Sequence, residues 1–171
     1  TLSRAIGAAY SDRYEPETTW TDRSLVISDA LQAAPSFQDE SGYFRYFRTE
    51  QSHSNDKPDY VLSAYTIKSF DYLKSLSVVT PDKLRTTLEN KLAEVFSTAT
   101  VLDVNGRPVI PYETSANIAG ALINEKSLDE NTLNVLWNQW GELSWYARSE
   151  LLLALSRKPE FSAQLQEGIT R

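Results

Sequence analysis

Two successive stretches of the chain place apolar residues at helical spacing over arcs of very different width, and this contrast restricts the fold more than any other feature. From Asp59 onward, Tyr60, Val61, Leu62, Ala64, Tyr65, Ile67, Phe70 and Leu73 cover most of a helix circumference, so such a helix must be buried on several sides. Pro58-Asp59 suits its start, because Pro lacks the N–H that a first turn leaves unpaired and a carboxylate favours the positive helix end. The next stretch opens at Thr80-Pro81 with Thr as cap. It carries Leu84, Leu88, Leu92, Val95 and Phe96 in a narrow stripe, with Asp82, Lys83, Arg85, Glu89, Asn90, Lys91 and Glu94 on the other face. One helix reads as inner, the other as outer and wet on one side.

The rest of the chain follows the same grammar. Leu2, Ile6, Ala9 and Tyr10 have helical spacing, but Gly7 interrupts it and predicts a short, frayed end over Thr1–Tyr10. A helix starts at Thr21 or Asp22, either of which can accept first-turn N–H groups, shows Leu25, Ile27, Ala30, Leu31 and Ala34 as a broad stripe, and stops at Pro35. In Val101–Ile110, Asn105-Gly106 between β-branched runs predicts a small hairpin or extended loop rather than a sheet. Further helices are expected at Tyr112–Asn124, at Leu128–Trp140 with Ser127 as cap, and at about Leu143–Arg157, where Trp145, Tyr146, Ala147 and Leu151–Leu155 leave little polar face. A terminal helix is expected over Pro159–Ile169. The class is all-α. Helix pairs in series make an αα-hairpin array, and the absence of a strict repeat of about 34 or 40 residues favours a divergent α/α toroid over a regular solenoid.

The 171 residues suit a single domain, 1–171. Net charge is −6 and the 17 basic residues are scattered singly, which argues against a nucleic-acid footprint. No apolar run approaches the roughly 20 residues of a membrane span, so no direct membrane insertion is expected. With no Cys, disulfides, thiolate metal sites and a thiol nucleophile are ruled out. The lack of any Met suggests a piece of a longer chain.

Before the inner helix lies a dense aromatic loop: Gln38-Asp39-Glu40-Ser41-Gly42-Tyr43-Phe44-Arg45-Tyr46-Phe47. It resembles the Gln, Gly-x-aromatic turns that recur in α/α toroids, in which Gly allows a tight backbone and the aromatics plug the space between hairpins. Pro58-Asp59-Tyr60-Val61-Leu62-Ser63-Ala64-Tyr65-Thr66-Ile67-Lys68-Ser69-Phe70 is similar to a helix of the thioester-containing domains of α2-macroglobulins and complement proteins. Leu143 to Leu155 is similar to a late helix of the bacterial α2-macroglobulin-like proteins. The resemblance spans roughly Leu25 to Arg157. It implies an incomplete toroid of about three to four helix hairpins, within a non-enzymatic, protease-trapping protein of the periplasm or cell envelope. The implied partners are other domains of the same chain and proteases, with no cofactor. The chain departs from the family in lacking the thioester Cys, so covalent capture by these residues is excluded.

The candidate binding residues are Tyr43, Tyr46, Trp137 and Trp140, because Tyr and Trp dominate contact energetics. Gln38, Gly42, Phe44, Phe47, Asp59 and Tyr65 are the structural motif of the junction. Alternation along Tyr43–Phe47 leaves open which rings face the core; an aromatic beside Gly at a hairpin junction favours filling it, and the cluster Trp137, Trp140 and Trp145 is weighed the same way. The lone His53, in a loop of small polar residues, has no second ligand and carries no metal or catalytic role. A toroid enzyme, polysaccharide-active or cyclase-like, is the alternative. It would draw its facing carboxylates from Asp39, Glu40, Asp59, Glu113 and Glu150, none of which stands in a defined motif. A helical-repeat binding module is the third reading.

Overall fold

The computed structural model describes residues 1–17, 20–46, 58–123 and 128–170. Among them are eight α-helices and no sheet: α1 Leu2–Tyr14, α2 Arg23–Ala33, α3 Tyr60–Ser75, α4 Asp82–Ser97, α5 Tyr112–Ala121, α6 Glu130–Asn138, α7 Trp145–Leu155 and α8 Ser162–Thr170. The chain forms two compact units, Thr1–Leu88 and Glu89–Arg171.

In the first unit, α2 folds back along α1, and Ile27, Ala30 and Leu31 pack on a cluster of Ala5, Ala9, Leu73 and Leu76. Helices α1 and α3 run parallel. The Ser3 hydroxyl meets the Tyr65 hydroxyl at 2.8 Å near one end, and Arg13 Nη1 donates to the Ser75 carbonyl at 2.7 Å near the other. The residue offset is the same at both ends, which only a parallel pair allows. The second unit repeats the arrangement. Ser144 N–H, at the start of α7, donates to Glu113 in the first turn of α5 at 3.1 Å, and Gly120 near the end of α5 lies against Glu150. Helices α5 and α7 are therefore parallel too, with α6 as the returning strut.

Burial follows the widths read from the sequence in part, since Val61 and Tyr65, counted in the apolar arc of α3, are exposed and small polar residues take their place inside. Helix α3 buries Ser63, Ala64, Thr66, Ile67, Ser69, Phe70 and Leu73, most of its circumference. Helix α5 buries every residue from Ser115 to Ala121. Helix α4 buries Leu84, Leu88, Leu92, Val95 and Phe96 along one side, but Glu89, assigned to the wet face, is only 4% exposed. It sits beside Leu88 at the edge of the stripe, where the arc is wider than the apolar residues alone indicate.

Several boundaries differ from expectation for identifiable reasons. Helix α1 runs through Gly7 to Tyr14 rather than fraying, because Ala5, Ala8 and Ala9 are packed on the core and outweigh a glycine penalty of about 1 kcal/mol. Neither Thr21 nor Asp22 caps α2 with its side chain. Leu25 points to solvent, and α2 has no fully buried residue. Pro35 ends the α-helix, but the chain tightens into a 3-10 turn over Ala34–Phe37. Helix α6 is capped by Asp129, whose carboxylate accepts from Thr132 N–H and from the Thr132 hydroxyl, both at 2.7 Å. The expected cap, Ser127, lies outside the described residues, as do His53 and Phe47. Val101–Ile110 forms a hairpin with one bridge, Leu102 to Pro108, and Gly106 at φ 74°.

The end of α3 carries a stop that the sequence conceals. Val78 N–H donates to the Leu73 carbonyl and Ser77 N–H to that of Lys74, with Ser77 at φ 68°, and Val78 packs on the core cluster. This is a Schellman ending with Ser in the place usually held by Gly. Ser77→Gly is expected to raise stability by about 1 kcal/mol, the cost of a left-handed side-chain-bearing residue, read from the denaturant midpoint at unchanged slope.

The approach of α5 to α7 offers a second test. A Cβ on Gly120 would stand 2.0 Å from Glu150 Oε2 and 2.8 Å from its Cβ, whereas one on Gly7 meets nothing within 4 Å. Gly120→Ala is expected to cost about 1–3 kcal/mol. Gly7→Ala, on the exposed face of α1, should gain about 0.5–1 kcal/mol. Equal effects of the two substitutions would contradict the packing.

Candidate interaction surface

The aromatic loop of the first unit is closed on itself and pinned to α3. Gln38 and Phe44 form an antiparallel bridge, and Gly42 takes φ 93° at the turn between them. Gln38 Nε2 donates to the Gly42 carbonyl at 2.8 Å, and Phe44 N–H donates to the buried Ser63 hydroxyl at 2.9 Å. Asp59 caps α3 by accepting Leu62 N–H at 2.8 Å. Tyr43 is turned inward, edge-on to Tyr60 at 5.2 Å between centroids, and Phe44 is buried. Tyr46 is 69% exposed, so of the two loop tyrosines it is the one available to a partner.

Asp39 is the electrostatic knot of this loop. Its carboxylate accepts from the Ser41 hydroxyl at 2.6 Å, Arg45 Nε at 2.7 Å and Tyr43 N–H at 3.0 Å. Burial alone would raise its pKa, but the bonds from Ser41, Arg45 and Tyr43 together hold it below the usual value of 3.8.

In the second unit, the parallel pair brings the first turns of α5 and α7 to one end. Ser144 caps α7 by accepting Ala147 N–H at 3.2 Å, and both its hydroxyl and its N–H are bound by the Glu113 carboxylate. Beside this clamp Trp145 is 76% and Tyr146 53% exposed. Arg148 Nε and Nη2 donate to the carbonyls of Trp140 and Gly141 at 3.0 and 3.1 Å. The guanidinium lies 5.1 Å from the Trp145 ring and 5.5 Å from the Trp140 ring, so it holds the exposed indole in place through its π face. The hairpin before α5 ends at the same place, since Val109 is joined to Tyr112 by at most about 10 Å of chain. Of the eight large apolar side chains this unit exposes among the described residues, Trp145 and Tyr146 stand beside the clamp and Val101, Leu102, Val104 and Val109 lie on the hairpin that leads into α5.

Trp140 is buried against Trp137, 5.0 Å between centroids, and half-buried Trp137 lies with Trp140 against Gly168 of α8. The rings named as contacts in the sequence thus line a helix junction. Trp145, grouped with them there, is the exposed one. Its phase could have shown this: with Ala147, Leu151, Ala154 and Leu155 inward, residue 145 shares a face with Ser149 and Ser156.

The carboxylates proposed for an enzyme are dispersed. Asp39 is paired with Arg45, Glu40 is exposed on the turn, and Asp59 caps α3. Glu113 holds Ser144, and Glu150 is buried at Gly120, about seven residues or 10 Å further along the helix pair. No group of His, Cys, Asp and Glu able to hold a metal occurs among the described residues, and no described helix is long and apolar enough to cross a membrane.

No family model and no curated protein matches this sequence. Solved structures do. The native α2-macroglobulin of Escherichia coli, from domain MG7 to the C-terminus, aligns with 99% of the chain at TM-score 0.73 and 13% identity, over 28% of its own length. The trypsin-activated form of the E. coli protein aligns with 99% at TM-score 0.73 and 14% identity, over 12% of its length. Its native conformation from cryo-EM gives 98%, 0.72 and 14%, over 11%. The chain shares its fold with a small part of those much longer chains.

The charge of Asp39 gives the loop a pH dependence. Because its folded-state pKa is depressed, its contribution is complete above the ordinary carboxylate range and is lost as pH falls through the folded value. Asp39→Asn should cost about 1–3 kcal/mol at neutral pH, and the difference from wild type should vanish in acid. A constant difference across the denaturation series would show that the charge is not what matters.

Proposed function

We propose that the chain is a non-catalytic helical domain, part of an α/α toroid, in a larger α2-macroglobulin-like protein of the bacterial cell envelope that traps proteases. The shared fold with E. coli α2-macroglobulin, over nearly the whole chain and in both native and trypsin-activated forms, is the observation that carries this reading. The role of these residues is packing: the clamped end of α5 and α7 presents Trp145, Tyr146 and Arg148, the side-chain types that dominate contact energies, to another domain of the same protein. Tyr46 offers a second contact in the first unit. These residues hold no Cys, so they take no direct part in covalent capture and would contribute to trapping through packing and enclosure.

Enclosure has a diagnostic consequence. A trapped protease is shielded from large substrates yet still reached by small ones. With the whole protein and trypsin, cleavage of casein should fall while cleavage of a small peptide amide persists. Trp145→Ala combined with Tyr146→Ala should weaken this protection by about tenfold, some 1.4 kcal/mol, with the thermal midpoint unchanged. Equal inhibition of both substrates would indicate an active-site inhibitor instead, and no inhibition of either would remove the trapping role.

A further inference from the structure

Of the eight asparagines in the sequence, only Asn105 precedes a glycine. The pair forms the tip of the 101–110 hairpin, where residues 101–107 are exposed. Asp103 organises this tip. Its carboxylate accepts Asn105 N–H at 2.8 Å and Arg107 N–H at 2.9 Å, and it also takes a hydrogen bond from the Asn105 side chain. Asp103 N–H donates to the Arg107 carbonyl at 2.7 Å, and Gly106 N–H donates to the Asp103 carbonyl at 3.0 Å. Nothing lies within 4 Å of the place a Gly106 Cβ would occupy.

We propose that Asn105 is a site of spontaneous deamidation. The Gly106 backbone nitrogen attacks Asn105 Cγ; the N–Cγ bond forms, the Cγ–Nδ2 bond breaks, and ammonia leaves carrying the proton from Gly106 N–H. The resulting succinimide takes up water at one ring carbonyl or the other, leaving aspartate or isoaspartate at position 105. Three features favour the step here. Glycine has no Cβ to crowd the attacking nitrogen and can rotate into the required geometry. The hydrogen bond that must open belongs to an exposed hairpin with one bridge, among the cheapest kinds of local opening. The Asn105 amide is also kept beside the turn by its own bond to Asp103. By contrast Asn90, Asn117, Asn131, Asn134 and Asn138 are in helices, each followed by a residue with a side chain.

The product changes the hairpin. A second carboxylate replaces the amide donor next to Asp103, and isoaspartate lengthens the backbone between Asp103 and Arg107, so their pairing is lost. The hairpin leads into α5 at the aromatic end of the unit, but the chemistry does not depend on the docking role assigned to that end.

The test is incubation of the folded protein at physiological temperature and mildly alkaline pH, followed by peptide mapping with mass spectrometry and isoaspartate-specific methyl labelling. Conversion at Asn105 should exceed that at any other asparagine by about tenfold or more, and most of the product should accept the label. Asn105→Gln should abolish conversion at that position, since its longer side chain forms the ring poorly, while leaving the thermal midpoint unchanged. Conversion at Asn105 no faster than at Asn90 or Asn138, or equally fast in the Asn105→Gln variant, would overturn the inference.

Discussion

The near-contact of Gly120 with Glu150 sets how closely α5 can approach α7, and much of the second unit depends on it. Helices separated in the chain by another helix run parallel only if the middle one returns along them. The short α6 does this, passing through the 3-10 turn Trp140–Glu142 into Ser144. Once the two helices lie parallel at this spacing, their first turns meet, and Glu113 can bind the residue that caps α7. In the first unit the same geometry is secured differently, by Ser3 on Tyr65 and Arg13 on Ser75, with alanines rather than glycine giving the close contact.

The parallel pairing also explains why unusual surface collects at one end. Helix α5 spends its apolar residues on burial, so among the described residues of this unit the exposed rings, Trp145 and Tyr146, fall where α7 begins. An exposed indole is normally a loose group. Trp145 is not, because Arg148 is anchored to the carbonyls of Trp140 and Gly141 and lies across the ring. A ring fixed before contact loses little entropy on binding, which is what distinguishes a docking residue from an incidental exposed one.

Much of this was legible in the sequence, and the failures have physical causes. The wider burial of α3 and the one-sided burial of α4 are legible from apolar periodicity, but the α3 arc is rotated: Val61 and Tyr65 are exposed, while the small polar residues Ser63, Thr66 and Ser69 are buried. The charge of Glu89 reads as solvent-facing, but its phase puts it beside Leu92 and Phe96 on the stripe, and it is buried with them. The continuation of α1 through Gly7 and the stop at Ser77 were hidden for opposite reasons: one glycine was overruled by packing, and one left-handed position was filled without glycine. The Glu113–Ser144 bond joins residues 31 apart, and no local pattern encodes such a pairing. Trp145 was recoverable, since its phase against Ala147 and Leu151 places it outside.

Whether the end of α7 is a docking face is decided most directly by hydroxyl-radical footprinting of the chain alone and of the whole protein as isolated from cells. If another domain covers that end, Trp145 and Tyr146 are oxidised rapidly in the isolated chain and strongly protected in the whole protein, while Val79, exposed in the first unit, changes little. Equal oxidation of Trp145 in both preparations would contradict a docked surface and leave the aromatic end without a partner.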